Sequence, residues 1–184
     1  MNSHEDIQAA PRRVFGPRQL DRVGSLLEMA RELTGDFFSL AQDDASKIPY
    51  EVRTVRCLDP DEILQEKVLA AVSRFQYRDK DFGRPRDLYR VDLQDHNILN
   101  SLQQGDRQVR FRPLLLYVLT HELVHIIRFV KFMTPFYLDR PEKETEERRV
   151  HEITRRILGQ MKVAGLDEIL TRYEPVFSED GELP

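Results

Sequence analysis

The residues of this 184-residue chain best suited to chemistry stand in one stretch, Thr120-His121-Glu122-Leu123-Val124-His125, which reads H-E-x-x-H inside a long apolar segment. On an α-helix, residues four apart lie one above the other on the same face, so both imidazoles can reach one metal ion while Glu122 lies beside them. That is the geometry of a zinc hydrolase. Catalytic zinc sites use three protein ligands and keep a fourth position for water, whose pKa the metal lowers to about 7. Two histidines therefore need a third ligand from elsewhere. Burying two histidines and a glutamate on an apolar helix without a partner is costly, which argues against an accidental pattern.

The acidic run Glu142, Glu144, Glu146 and Glu147 opens the next expected helix. Its apolar face is set by Val150, Ile153, Ile157 and Met161. At 100° per residue Glu146 and Glu147 lie near that face and Glu144 well off it, which leaves two candidates for the third ligand. Arg128, one turn beyond His125, is placed to neutralise a nearby glutamate or to grip a substrate carboxylate, and the salt bridge is the plainer reading. Tyr117 and Phe132 share the ligand face and read as core. His96 falls in a loop with no partner in sight, and His4 in a tail. Cys57 reads as a small packed residue, since nothing local argues for a depressed thiol pKa.

These groups need elements to hold them. Pro113 can begin a helix whose apolar run continues to Thr134-Pro135, which should stop it. Asp139, Pro141 and Glu142 supply start signals for the glutamate helix, with Gly159 and Gly165 bracketing its end. Upstream, Leu20, Val23, Leu27 and Ala30 predict a helix from Pro17 ended by Gly35. Residues 50–58 (YEVRTVRCL) and 88–93 (LYRVDL) alternate as strands with one wet face. Between them, Asp59, Pro60 and Glu62 form a capping-box start for a helix expected to bury Leu64, Val68, Ala71, Val72 and Phe75. Residues 95–107 favour a loop, with one helical turn allowed by Ile98, Leu99 and Leu102. A short helix is expected over 167–173.

Composition bounds the rest. With 40% hydrophobic and 33% charged residues, the chain fits one globular domain over 16–176 with disordered tails at 1–15 and 177–184. The net charge of -4, without a basic block, excludes the footprint of a nucleic-acid binder. The single cysteine excludes a disulfide framework and suits the cytoplasm. No signal peptide or lipidation signature is seen at the N-terminus. The apolar stretch 114–133 carries five ionisable residues, so a buried core helix is expected and no membrane span.

An H-E-x-x-H helix followed by a second helix carrying a glutamate resembles the gluzincin arrangement of the zincin metallopeptidases. In several gluzincin groups the second helix reads approximately E-x-x-A-[D/N]-x-[F/Y]-A, and its first glutamate is the ligand. Glu147-Arg148-Arg149-Val150-His151-Glu152-Ile153-Thr154 is similar, with Val150 for the small residue, His151 for the acid or amide and Ile153 for the aromatic. By size and element order the nearest group is the small ImmA/IrrE-like metalloproteases, and the likeness covers roughly residues 88–158. It implies an α+β, zincin-like fold, mainly helical with a small sheet, the motif helix being followed by an antiparallel glutamate helix. It further implies Zn²⁺ held by His121, His125 and Glu147, with Glu122 as the general base that passes a proton to the leaving amine. His151 becomes a candidate to orient a ligand or steady the oxyanion. The expected activity is peptide-bond hydrolysis, with a peptide or protein substrate lying along an edge strand, for which 88–93 is the candidate. The alternatives are an inactive zincin-fold regulatory or partner-binding protein, and a helical interaction module without metal.

Overall fold

The computed structural model describes residues 13–41, 48–64, 67–78, 85–103, 110–132 and 134–173. Among them the fold is α+β, with five helices and one three-stranded mixed sheet. In chain order these are α1 (Pro17–Phe37), β1 (Tyr50–Arg53), β2 (Ala70–Arg78), β3 (Pro85–Leu93), α2 (Asp95–Ser101), α3 (Phe111–Lys131), α4 (Arg140–Leu158) and α5 (Leu166–Arg172). Both expected tails lie mostly outside the described residues. Phe15, at the border of the N-terminal one, is fully buried and packs edge-on to Phe111 at 5.3 Å.

The motif helix is the axis of the molecule. By length and composition α3 could cross a bilayer, yet its whole stretch from Pro113 to Arg128 is buried and is packed by every other helix and by β2. Its apolar side chains, Leu114 to Leu116, Val118, Leu119, Leu123, Val124 and Ile126, join Val23, Leu26 and Ala30 of α1 in one hydrophobic cluster. Each buried Leu or Ile of that cluster contributes about 1.5–3 kcal/mol relative to exposure. α1 runs two residues beyond Gly35, the expected stop, and Phe37 and Phe38 pack against the core there.

The sheet departs from expectation in three ways. First, β1 ends at Arg53 and 55–57 form a 3₁₀ turn, so Cys57 at its end is exposed rather than packed. Second, among the described residues the expected α-helix does not follow Asp59. The capping box does form, with the Asp59 amide donating to Glu62 Oε2 at 2.8 Å, but it closes only a 3₁₀ turn over Pro60–Glu62. Beyond it, side chains around the start of α2 take the backbone groups a helix would pair internally. Gln94 Oε1 accepts from the Leu64 amide at 3.0 Å, His96 Nε2 meets the Leu64 carbonyl at 3.0 Å, and Asn97 Nδ2 donates to the Val68 carbonyl at 2.8 Å. The segment then becomes β2, and Val68 and Phe75, expected in the core, are exposed. Third, residues 95–101 are helical, so His96 sits on α2 and has a partner.

The sheet order is β1-β3-β2, with β1 parallel and β2 antiparallel to β3. The 88–93 strand is therefore central, and the edge nearest α3 belongs to β2. Tyr89, Val91 and Leu93 alternate into the core as expected. The register pairs Leu69 with Gln94, whose amide donates to the Leu69 carbonyl at 2.9 Å. Hydrogen-bonded pairs then recur every second residue, so Ala71, Ser73, Phe75 and Tyr77 spend their backbone groups on β3. Ala70, Val72, Arg74 and Gln76 turn theirs outward. On the outer sheet face Arg53 bridges Asp92 at 2.8 Å and Glu62 at 2.6 Å, tying β1, β3 and the 3₁₀ turn together.

α4 starts where the sequence places it. Asp139 caps it, accepting from the Glu142 amide at 3.0 Å, and Gly159 follows its last residue. Gly165 does not belong to the end of α4. Its φ of 86° is a left-handed conformation that a β-carbon strains, and it turns the chain into α5.

Candidate metal centre

Tyr117, His121, His125 and Phe129 recur every fourth residue along α3 and form a continuous aromatic stripe on one face. Successive rings lie 6.0, 4.8 and 5.9 Å apart. Against this face α4 brings Glu147. Its Oε2 lies 3.5 Å from His121 Nε2 and its Oε1 3.5 Å from His125 Nε2, while the two Nε2 atoms are 3.2 Å apart. Zinc bonds of 2.0–2.1 Å in a tetrahedron imply edges of about 3.3–3.4 Å between ligand atoms; the three separations lie close to that, with each histidine meeting a different oxygen of Glu147.

Glu146, the other candidate, is engaged elsewhere. Both its oxygens accept from the Arg128 guanidinium, Oε1 from Nε and Oε2 from Nη2 at 2.8 Å, and both side chains are buried. The plain salt-bridge reading of Arg128 therefore describes its contacts. Phe132, expected in the core, lies past the end of α3 and is 55% exposed.

His151, one turn after Glu147, comes within a ring separation of 4.5 Å of His121. It offers a nitrogen within 4.8 Å of the ligand atoms of His121 and Glu147, so these three residues are also close enough to share an ion. Its Nδ1 is paired with the Tyr117 hydroxyl at 2.6 Å, which fixes the ring and leaves Nε2 as its second nitrogen. Sequence reasoning placed Tyr117 in the core and missed this bond. The signal was present in its position, four residues before His121 on the same face. One feature fits a metal site less well: His121 Nδ1 is buried without a hydrogen-bond partner, where a metal-bound imidazole ordinarily gives that N–H to an acceptor.

Burial and mutual contact divide the charges. Burial pushes His121 down to about 4, against the opposing pull of Glu147, so this ring is neutral at pH 7. Burial also acts to lower His125, but the Glu147 hydrogen bond and the charge of Glu122 outweigh it and leave His125 raised. Burial acts to raise Glu147, and its two histidine partners more than reverse that, holding it well below the ordinary carboxylate range. Without an ion, Glu147 is thus held anionic and favours the protonated form of His125, where a cation would sit. Glu122 is pushed up to about 7, chiefly by burial, which puts it in the range where a carboxylate can both take and return a proton.

The cluster opens into a cleft of about 620 Å³. Its floor is the face of α3 carrying His121, Glu122, His125 and Phe129. One wall is the β2 edge from Ala70 to Val72, and the other is formed by Phe136 to Leu138 with the first turns of α4.

Comparison with known proteins returned no matching family model, no matching curated protein and no matching solved structure. The functional reading rests on the residues and their geometry.

Proposed function

We propose that the protein is a zinc-dependent metallopeptidase of zincin-like fold. The observation that carries this reading is the triangle of His121 Nε2, His125 Nε2 and the Glu147 carboxylate, with edges of 3.2, 3.5 and 3.5 Å, open to a cleft beside Glu122. These three side chains would hold the ion. When bound, zinc polarises the scissile carbonyl and makes water nucleophilic near neutral pH.

The chain's own residues supply the remainder. The Glu122 carboxylate takes a proton from the attacking water as the new C–O bond forms, and delivers it to the amide nitrogen as the C–N bond breaks. A near-neutral pKa suits both halves of that transfer. The outward N–H and C=O groups of Ala70 and Val72 can receive an extended polypeptide as a further antiparallel strand, drawing its backbone past Glu122. Unfolded casein serves as a general probe. Wild type loaded with zinc is expected to cleave it, whereas Glu122→Gln keeps one zinc per chain and cleaves at least about 100-fold more slowly. Equal rates in the two proteins, or no cleavage by either, count against the peptidase.

A further inference from the structure

Two consecutive glutamates of α4, Glu146 and Glu147, line the same cleft, yet only one carboxylate meets the histidines. We infer that Arg128 is a positioning residue that selects the ligand: by gripping both oxygens of Glu146 it withholds that carboxylate from the metal centre and leaves Glu147 to enter alone. The inference rests on the metal-site reading above and adds to it the reason one carboxylate is taken and the other is not.

Arg128 stands one turn after His125 on α3, so its guanidinium reaches across to α4 at the level of the site. The pair is buried on both sides, each side chain about 8% exposed, and the planar fork of arginine satisfies both carboxylate oxygens at once. Arg149 approaches Glu146 from the solvent side at 3.9 Å, adding a second positive group that favours the same placement. The contacts of Glu147 are with the two imidazoles, one to each of its oxygens. The consequence is chemical. Two imidazoles and one carboxylate leave a coordination position open, whereas a second carboxylate would fill it and close the site. A buried ion pair between packed helices is in itself weak evidence for stabilisation, so a role in sorting carboxylates is what distinguishes this one from an interhelical clamp.

The test reads metal binding rather than activity. Zinc affinity is measured by competition with a chromophoric chelator for wild type, His121→Ala, Glu147→Gln, and Glu147→Gln combined with Arg128→Met or with Arg128→Lys. Far-UV circular dichroism checks that each variant folds, and Arg128→Gln replaces Arg128→Met if the latter does not. Wild type binding one zinc, lost in His121→Ala, establishes the site itself. Glu147→Gln is expected to weaken zinc by about 100-fold or more, since losing a ligand costs at least as much as losing a group that only supports one. Adding Arg128→Met frees Glu146 to take the vacated place and restores affinity at least tenfold, whereas adding Arg128→Lys, which keeps the charge, restores none. In the Arg128→Met single variant loaded with Co²⁺, entry of a second carboxylate in place of water shifts the visible absorption bands relative to wild type. No recovery in the Arg128→Met double variant, with an unchanged cobalt spectrum in the single variant, overturns the proposal while leaving the metal site standing. A wild type that binds no zinc overturns both.

Discussion

Replacing Glu122 by glutamine should make the metal-free protein more stable above neutral pH, even though Glu122 is the residue to which the chemistry is assigned. Glu122 is 9% exposed, and burial raises its pKa from an ordinary 4.5 to about 7. A folded pKa above the unfolded one means that the group's contribution is fully favourable below pH 4.5 and is lost as pH rises through about 7. By then the folded state is holding an ionised carboxylate that the unfolded chain would leave in water. The gap between those two values corresponds to about 3 kcal/mol once the group is ionised. Glutamine has nearly the same shape and no charge, so the variant escapes the penalty. At pH 8, with a chelator present, Glu122→Gln is expected to gain roughly 2–3 kcal/mol, and a domain of this size shifts its Tm by about 2–4 °C per kcal/mol. At pH 5 the difference should shrink to about 1 kcal/mol or less. The assay is urea unfolding of both proteins at pH 5, 6, 7 and 8. An advantage independent of pH, or a Glu122→Gln variant less stable than wild type at pH 8, refutes the reasoning that burial sets this pKa.

Other expectations follow from particular contacts. Because the raised pKa of His125 favours a proton that the ion must displace, zinc affinity should fall as pH drops through the titration of that ring, approaching tenfold per pH unit once the proton is fully bound; a pH-independent affinity by chelator competition would contradict the charge division described for the site. The outward-facing amide of Val72 and the β3-facing amide of Ser73 make opposite predictions for proline. Val72→Pro should stay folded but lose cleavage of casein, whereas Ser73→Pro should unfold at lower urea by about 1–3 kcal/mol more, and equal stabilities would disprove the register. Phe15→Ala should cost about 3–5 kcal/mol in the same unfolding assay, and a cost below about 1 kcal/mol would return Phe15 to the tail.

The parts of the fold legible in the sequence are those whose signals are local. The α3 and α4 helices carry their own start signals and apolar faces, and Asp139 caps α4 as its position predicts. The pairing of Glu147 with the two histidines required only helical geometry and a resemblance. What the sequence concealed depends on partners distant in the chain. Leu64, Val68, Ala71, Val72 and Phe75 are spaced as on a helix, and the capping box before them is genuine, yet pairing with β3 and capture of backbone groups by Gln94, His96 and Asn97 override both. Asp95 illustrates the same dependence. Its carboxylate accepts from the amides of Phe15 at 2.8 Å and Val55 at 3.2 Å, stitching three separate segments, and no local pattern announces it. The central position of β3 was likewise invisible, because alternation reports a wet and a dry face but not which strand stands at the edge. The Tyr117 to His151 bond lay within reach of helical spacing and was overlooked because an aromatic on a buried stripe is ordinarily core.

The central claim is that His121, His125 and Glu147 bind one ion. The most direct measurement is a crystal structure of the zinc-loaded protein with anomalous data collected at the zinc edge. The account predicts a single anomalous peak about 2.0–2.2 Å from His121 Nε2, His125 Nε2 and a Glu147 oxygen, with Glu146 still on Arg128. A peak coordinated by His151 or Glu146 in place of His125 or Glu147, or no peak on α3 at all, would contradict it.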